Sequence, residues 1–366
     1  MRVNALLASS FRNLDRVFIE PDPGVNVIYG KNAQGKTNLL ESVWLFTGCK
    51  SFRGAKDSEL IKFGEPGAKV SLQFFAQERE QNAEIIIDGK RSATLNGVKL
   101  QSANKLMGNF PAVVFAPVHL SLVQSGPAER RKFLDTALCQ LRPRYANLLT
   151  RYNHTLVQRN TLLKDLYSHS ELLDTLEIWD DQIAALGASI IFDRVRYIEK
   201  LSAFAAEFYS GLSQGHEKFD AVYLQHSGLE FSDVYELKEL LLKELKKSRK
   251  DDIMSGSTSI GPHRDDLLIT VDGKSARTFG SQGQKRSCAL SLKLSEAAVI
   301  KELTGEQPIA LLDDVMSELD SSRQDYILNH IDGWQVFITC CEPSTMLRLR
   351  GGKSFEMEGG HLKESK

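Results

Sequence analysis

The chain has 366 residues, of which 42% are hydrophobic and 25% are charged, as in an ordinary globular protein. This length allows two domains, or one domain with a large insertion. The formal net charge of −1 excludes a globally basic nucleic-acid binder, so any surface for nucleic acid has to be a local patch.

The cysteines and the N-terminal sequence indicate a protein of the cytoplasm. The chain contains no CxxC pair and no histidine at metal-ligand spacing from a cysteine, so we expect reduced thiols. The early apolar run NALLA is too short for a secretory signal, and the polar segment FRNLDR follows soon after it. We therefore expect neither secretion nor membrane insertion.

The first 115 residues alternate short β-type runs with turns, and the helical pattern NLLESVWLF follows the first run. The predicted strands cover residues 25–30, 68–76, 83–90, 93–100 and 111–117. This order predicts a mixed α/β domain.

Strand signals disappear between about Arg130 and Phe208. Apolar residues first recur at steps of three and four, and then at near-heptad spacing from Leu172 onward. The pattern predicts two long helices that are joined by SHSELLD (168–174) and form a helical hairpin.

After a polar stretch at 241–252, the sequence returns to an alternation of strands and helices. LLITVDGK (267–274), PIALLDD and QVFIT are predicted strands, and helices are predicted after SQGQ and at SSRQDYILNHI. We expect residues 1–125 and 251–366 to form the two parts of one α/β domain, and residues 126–250 to form a helical arm inserted between them.

The stretch GKNAQGKT has the GxxxxGK[ST] pattern, and it lies between a predicted strand and a predicted helix as that pattern requires. The glycines let the backbone wrap a phosphate, the lysine reaches the β- and γ-phosphate oxygens, and the threonine offers its hydroxyl to Mg²⁺. The predicted nucleotide-binding residues are Gly30, Lys31, Asn32, Ala33, Gln34, Gly35, Lys36 and Thr37.

The buried-strand pattern Ile309–Leu312 ends in two carboxylates. Since a central parallel strand delivers its C-terminal end to the phosphate loop, Asp313 is expected in the Mg²⁺ shell and Asp314 beside the attacking water. Lys36, Asp313 and Asp314 are the predicted catalytic residues. The simpler interpretation is a strand that ends in a solvated acidic turn.

The segment FGSQGQKRS precedes a helical pattern, and a helix N-terminus presents backbone N–H groups to an anion. The simpler interpretation is that Ser281 only caps this helix.

These motifs occur in the order of the Walker A, signature, Walker B and D-loop motifs of the ABC ATPase superfamily. Within it the chain resembles the RecF-type proteins of recombinational repair, which are related to the SMC heads. The matching segments are FRN (11–13), GKNAQGKTNLLE (30–41), SFR (51–53), GPAERRKFLD (126–135), QRNTLLK (158–164), WDDQIAALG (179–187), GPHRDDL (261–267), SQGQKR (281–286) and LLDDVMSELD (311–320).

The resemblance implies an α/β ABC-type ATPase head that is split by the helical arm, and an ATP-dependent homodimer with Mg²⁺. It places a partner's signature residues on the γ-phosphate, Arg12 and Asn13 beside the nucleotide, and Arg53 within reach of phosphates or DNA. The signature and D-loop residues assigned in this way are Ser281, Gly283, Gln284 and Asp320.

Two departures from the superfamily pattern predict slow hydrolysis. Ala116 stands where the Q-loop glutamine is expected, with His119 or Gln124 as possible replacements. Cys340 and Cys341 stand at the position of the switch histidine. Asp314 also replaces the commoner glutamate. Together they suggest a switch or timer rather than a motor.

The resemblance also implies binding to duplex DNA and to single-strand/duplex junctions, and mediator partners of the RecO and RecR type. The candidate phosphate contacts are Arg130, Arg131, Lys132, Arg142, Arg144, Lys246, Lys247, Arg249 and Lys250. Three alternatives fit less well. A transporter ATPase would carry LSGGQ and a switch histidine, a metabolic phosphotransferase would need no signature helix, and an SMC tether would need far longer arms.

Overall fold

The computed structural model describes residues 1–166, 169–331, 333–341 and 352–365, so that Ser168 of the predicted SHSELLD connection lies outside the described residues. The strands are β1 Arg2–Phe11, β2 Leu14–Ile19, β3 Val25–Tyr29, β4 Ala68–Ala76, β5 Arg79–Ile87, β6 Arg91–Leu95, β7 Val98–Lys99, β8 Ala112–Phe115, β9 Phe219–Leu224, β10 Asp266–Val271, β11 Lys274–Ser275, β12 Ile309–Asp313, β13 Val336–Cys340, β14 Lys353–Glu358 and β15 His361–Ser365. The helices are α1 Lys36–Trp44, α2 Ser121–Gln124, α3 Pro127–Leu141, α4 Pro143–Asp165, α5 Leu176–Leu212, α6 Val234–Ser255, α7 Ala276–Phe279, α8 Gln282–Thr304 and α9 Ser321–His330.

The chain divides into two compact units. The first comprises Met1–Leu120, Glu207–His216 and Ala289–Lys366, and the second comprises Ser121–Ala206 and Glu217–Cys288. These limits differ from the boundaries expected at residues 125 and 250, because β10 pairs with β9 and so joins the unit that contains the helical arm.

The first unit contains a mixed sheet with the strand order β15-β14-β3-β13-β12-β8. β14, β3, β13, β12 and β8 are mutually parallel, and β15 pairs antiparallel with β14. The sequences VNVIY, VFITC and IALLD are apolar almost throughout, as expected of strands covered on both faces. Because these strands run parallel, the C-terminal ends of β3, β12 and β13 lie at one edge of the sheet.

The same unit contains an antiparallel sheet with the order β2-β1-β4-β5-β6-β7. The sequence analysis did not predict β1 and β2, nor the C-terminal hairpin β14–β15. Phe11 and Leu14 are fully buried on either side of the β1–β2 turn, and Arg12 adopts a left-handed conformation with φ 53°. This conformation gives the segment FRN its structural role as a tight turn.

The second unit packs α3 to α6 with a small sheet of order β11-β10-β9. The predicted hairpin corresponds to α4 and α5. The polar stretch 241–252, for which no helix was predicted, lies within α6. Leu237, Leu241 and Leu245 are buried at a spacing of four residues, which gives this charged helix a narrow apolar face.

A buried ion-pair cluster joins the helices of the second unit. Arg159 on α4 is fully buried, and it donates hydrogen bonds to Asp180 on α5 and Asp252 on α6, each of 2.8 Å, and to the Thr258 hydroxyl. Since isolated buried charges are strongly unfavourable, the three helices hold each other through this arginine. Over the described ranges, no helix is both long and apolar enough to cross a membrane.

Candidate nucleotide-binding site

The first unit contains a cavity of about 580 Å³ over the phosphate loop. Its lining residues are Arg12, Asn13, Asn32, Ala33, Gln34, Gly35, Lys36, Thr37, Asn38, Arg53, Glu59, Ile61, Phe63, Asp313, Asp314 and Thr339. The cavity thus brings together residues 32–37 of the predicted phosphate loop and both predicted carboxylates. It also includes Arg12 and Asn13, which the resemblance placed beside the nucleotide, and Arg53, which it placed within reach of phosphates or DNA. Gly30 and Lys31 are not among its lining residues.

The phosphate loop connects β3 to α1 through strained backbone that its glycines permit. Gly30 has φ 147°, and a Cβ there would lie 2.3 Å from the Met357 carbonyl oxygen, so this position accepts no side chain. The largely buried Lys36 donates from Nζ to the carbonyl oxygens of Gly30, at 2.5 Å, and Lys31, at 2.9 Å. Its ammonium group therefore lies inside the curve of the loop.

Two turns from distant parts of the chain support this loop. From the β1–β2 turn, Asn13 donates to the Ala33 carbonyl oxygen at 3.3 Å. From the β14–β15 turn, the Gly359 N–H donates to Gln34 Oε1 at 2.6 Å, and the Gly360 N–H donates to the Gln34 carbonyl oxygen at 3.0 Å. The sequence analysis missed this C-terminal support.

A hydroxyl and a carboxylate meet at the start of α1. Thr37 Oγ1 donates to Asp313 Oδ1 at 2.7 Å, and Thr339 Oγ1 donates to the same oxygen at 2.9 Å. Burial raises the pKa of the Asp313 carboxyl, and the hydrogen bonds from the two threonines oppose that rise. The sequence analysis did not select Thr339, although the end of β13 at the same sheet edge as Asp313 could have identified it.

Asp314 adopts a left-handed conformation with φ 52°, and its N–H donates to Thr339 Oγ1 at 2.9 Å. The Ser317 hydroxyl donates to Asp314 Oδ1 at 3.0 Å. Both the backbone and one carboxylate oxygen of Asp314 are therefore fixed beside the cavity.

Arg12 and Arg53 line the cavity from different elements. Arg12 makes a two-pronged ion pair with the fully buried Glu41, with distances of 2.6 and 3.1 Å. Arg53 donates to Asn38 Oδ1 at 2.9 Å, and Asn38 in turn donates to Asn13 Oδ1 at 2.7 Å. A chain of hydrogen bonds thus runs from Arg53 through Asn38 to Asn13 in the β1–β2 turn, which supports the phosphate loop.

The signature residues lie in the second unit and begin α8. Ser281 Oγ accepts from the Gln284 N–H at 3.1 Å, and Gln284 Oε1 accepts from the Ser281 N–H at 2.8 Å. This reciprocal pair is a capping box, so Ser281 does cap the helix, as the simpler interpretation held. Gln284 Nε2 also donates to Glu217 at 2.8 Å. Gly283 lies in the first turn between them.

Asp320, the D-loop residue, caps α9 by accepting from the Arg323 N–H at 3.0 Å. Together with an ion pair to the Arg323 side chain, this backbone hydrogen bond lowers the pKa of Asp320. Asp320 is not among the lining residues of the cavity named above.

Of the candidate replacements for the Q-loop glutamine, His119 lies in the first unit and is not among the lining residues of the cavity. The Ala116 N–H donates to His119 Nδ1 at 3.0 Å, so this histidine folds back on its own turn. Gln124 donates to Gln282 at 3.1 Å within the second unit. At the position of the switch histidine, the exposed Cys341 donates to Asn32 Oδ1 at 3.2 Å.

Several candidate DNA contacts are engaged within the second unit. Arg130 is buried and holds Asp266 through two hydrogen bonds of 2.6 and 2.8 Å. Arg131 donates to the Asp265 carbonyl oxygen, and Arg249 holds Asp180. Arg142, Lys246 and Lys247 also form ion pairs. The assignment of these cations to DNA stays a prediction, and a sequence does not show which carboxylates a cation will meet.

Thr37 and Asp313 fit a magnesium ion. Mg²⁺ prefers oxygen ligands and uses one or two protein groups together with phosphate oxygens and water. The hydroxyl and the carboxylate lie within 2.7 Å of each other and line the same cavity. The part of the chain that the structure describes has no group of three or more His, Cys, Asp or Glu that could hold a metal by itself.

Comparison with known proteins gives consistent relationships over the whole chain. The family described as the RecF/RecN/SMC N terminal domain matches residues 2–358. A DNA replication and repair protein RecF from Agathobacter rectalis is 40% identical over 342 residues, which are 93% of this chain and 92% of the relative. The RecF of Caldanaerobacter subterraneus subsp. tengcongensis is 41% identical over 347 residues, which are 93% of this chain and 94% of that relative's length.

Solved structures agree with these relationships. The recombination mediator protein RecF with ATP, from the RecFOR pathway, superposes with a TM-score of 0.92 at 39% identity, over 100% of this chain and 98% of that chain. An SMC head bound to the C-terminal winged-helix domain of ScpA superposes with a TM-score of 0.56 at 16% identity, over 100% and 97% of the two chains, and so shares the fold. The predicted α/β ABC/SMC-type ATPase head is confirmed, and the chain belongs to the RecF family of DNA replication and repair proteins.

Proposed function

We propose that this protein is an ATP-dependent DNA-binding protein of recombinational repair and replication in the cytoplasm, and that ATP binding closes a homodimer on DNA. The observation that carries the proposal is the Thr37–Asp313 hydrogen bond of 2.7 Å beside a loop that encloses the Lys36 ammonium group. Within one chain, this hydrogen bond joins the phosphate loop to the carboxylate at the end of β12, 276 residues later.

The phosphate loop and the two carboxylates each have a defined task in this proposal. The backbone of residues 30–37 and the Lys36 ammonium group neutralise the β- and γ-phosphates. Thr37 and Asp313 hold Mg²⁺, which would neutralise charge that develops on the phosphate oxygens. Asp314 orients the attacking water, since its backbone is fixed by Thr339 and one carboxylate oxygen by Ser317.

The signature residues act on the nucleotide of a second copy. The capping box positions Ser281 at the N-terminus of α8, where backbone N–H groups and the helix dipole favour an anion. Ser281, Gly283 and Gln284 of one copy would contact the γ-phosphate held by the other, with Asp320 near the same junction. Loss of that phosphate would remove the contact and open the dimer.

Hydrolysis is slow and is stimulated by DNA in this proposal. A shorter aspartate replaces the commoner glutamate, and His119 is not among the lining residues of the cavity. Cys341 contacts Asn32 of the phosphate loop where a switch histidine is expected. The closed state therefore lasts and acts as a timer. An intrinsic turnover as fast as that of a helicase, without DNA, would contradict it.

The DNA ligand is duplex DNA or a single-strand/duplex junction, bound through backbone phosphates and sensitive to salt. Lys132, Arg144 and Lys250 are exposed candidates on the second unit. The solved RecF relatives are described as belonging to the RecFOR pathway, which supports RecO- and RecR-type mediators as partners and recombinase loading at single-strand gaps as the outcome.

Light scattering and DNA binding with ATP, ADP or no nucleotide test this proposal. We expect dimers and tight DNA binding only with ATP. Lys36→Ala should abolish both by preventing nucleotide binding, whereas Ser281→Arg should bind ATP and remain monomeric. Ser232→Arg is the matched control, because Ser232 is also an exposed serine at the start of a helix in the second unit. A monomer in ATP that binds DNA equally well without nucleotide would refute the clamp.

A further inference from the structure

An exposed aromatic side chain is among the residues that line the nucleotide cavity. Phe63 has 102% of its reference surface exposed, and it is one of the lining residues. Most large aromatic residues of a folded chain bury their surface, so a fully exposed phenylalanine in a ligand cavity requires an explanation.

The backbone around Phe63 is held in place by β1 and by the turn that follows it. Ile61 forms an antiparallel bridge with Phe11. The Lys62 N–H donates to the Ser10 carbonyl oxygen at 2.8 Å, and the Arg12 N–H donates to the Leu60 carbonyl oxygen at 2.8 Å. The phenyl ring is therefore presented by backbone that is fixed on its N-terminal side.

The polar residues of the cavity can bind a triphosphate and its cation. The hydrophobic residues of the lining are then available to the base and the sugar of the nucleotide. Lys36, Thr37 and Asp313 serve the phosphates and their cation, and Asn38 with Arg53 extends the polar lining beyond α1. Among the described residues that line the cavity, Ile61 and Phe63 are the large hydrophobic ones. A purine base offers a flat apolar face, which packs favourably on an aromatic ring.

We propose that Phe63 is the platform on which the purine base of the bound nucleotide stacks, with Ile61 beside it. This inference rests on the proposed nucleotide function of the cavity and adds a residue that gives affinity for the nucleoside. Phe63 then contributes to ATP binding but not to the binding of an inorganic triphosphate, which has no base.

Calorimetric titration of the full chain with Mg-ATP and with magnesium tripolyphosphate tests the platform. Phe63→Ala should weaken ATP binding about tenfold, equal to about 1.4 kcal/mol, and leave tripolyphosphate binding unchanged. Phe63→Trp should keep the affinity for ATP. The matched control is Phe18→Ala, which removes a phenylalanine that is 57% exposed on β2 and outside the cavity lining.

The outcomes separate this inference from the function on which it rests. If Phe63→Ala binds ATP as tightly as the unmodified chain, or if it loses ATP and tripolyphosphate equally, the platform is refuted while the nucleotide site stands. If the unmodified chain binds neither ligand, the nucleotide site fails, and the platform fails with it. Lys36→Ala should lose both ligands, because it removes the phosphate contact common to them.

Discussion

Replacing one glycine of the C-terminal hairpin should weaken the phosphate loop, although that glycine lies more than 320 positions away along the chain. Gly360 has φ +81°, and a Cβ there would lie 2.1 Å from the Asn13 carbonyl oxygen. A backbone oxygen in the β1–β2 turn cannot move aside as a flexible side chain can. In Gly360→Ala the β14–β15 hairpin therefore has to move away from the β1–β2 turn, and with it from Gln34 of the phosphate loop.

The neighbouring glycine provides the control for backbone strain. Gly359 has φ +56°, but a Cβ at that position would meet nothing within 4 Å. Both alanine variants force a left-handed conformation, which costs about 1–2 kcal/mol. Retreat of the hairpin in Gly360→Ala also breaks two hydrogen bonds to Gln34, each worth about 0.5–1.5 kcal/mol. The difference in free energy of unfolding between the two variants should be about 1–3 kcal/mol.

Urea unfolding and ATP titration of both variants measure this difference. We expect Gly360→Ala to unfold at lower urea than Gly359→Ala and to bind ATP more weakly, because Asn13 and the hairpin both support the phosphate loop. Equal midpoints and equal ATP affinities for the two variants would show that the hairpin does not position the loop.

Three further predictions concern other contacts. His263 packs against Tyr152 and Thr258, and burial lowers its pKa to about 4. Because the unfolded chain takes up this proton near pH 6.5, stability should fall by about 3 kcal/mol as the pH drops from 6.5 to 4, and His263→Gln should flatten that dependence in urea titrations at several pH values. Arg159→Met should destabilise the second unit by about 3–5 kcal/mol in urea unfolding, since it leaves the buried Asp252 without its ion-pair partner and Asp180 with Arg249 alone; a loss below 1 kcal/mol would contradict this. Thr339→Val removes the hydroxyl that donates to Asp313 Oδ1 and accepts from the Asp314 N–H, so the rate of ATP hydrolysis should fall, and an unchanged rate would refute that role.

The amino-acid sequence was sufficient to predict those elements whose motif or hydrophobic spacing is contained in one continuous segment. The GKNAQGKT segment between an apolar strand and an amphipathic helix predicted the loop between β3 and α1, and the apolar run before Asp313 predicted β12. Both predicted carboxylates line the cavity, because parallel strands bring their C-terminal ends to one edge. The helical hairpin also followed from spacing alone.

The amino-acid sequence did not predict contacts between residues that are distant in the chain. Arg130 and Arg249 have the composition of a DNA-binding patch, but their guanidinium groups hold Asp266 and Asp180. The charged stretch 241–252 lies within α6, whose buried Leu237, Leu241 and Leu245 give it one apolar side, and α6 contacts α4, which is distant in the sequence. Charge in a sequence therefore does not distinguish a solvated cation from a buried ion pair.

The amino-acid sequence by itself determined the phosphate-loop motif and the two carboxylates that end a buried strand, since both depend on local backbone geometry and on the charges of the residue types present. Only the tertiary structure decided what surrounds that chemistry. Pairing of β14 with β3 places Gly359 and Gly360 under Gln34, and the bridge from Ile61 to Phe11 presents Phe63 at the cavity. These contacts join segments between about 50 and more than 300 residues apart, and strand pairing rather than local preference brings them together.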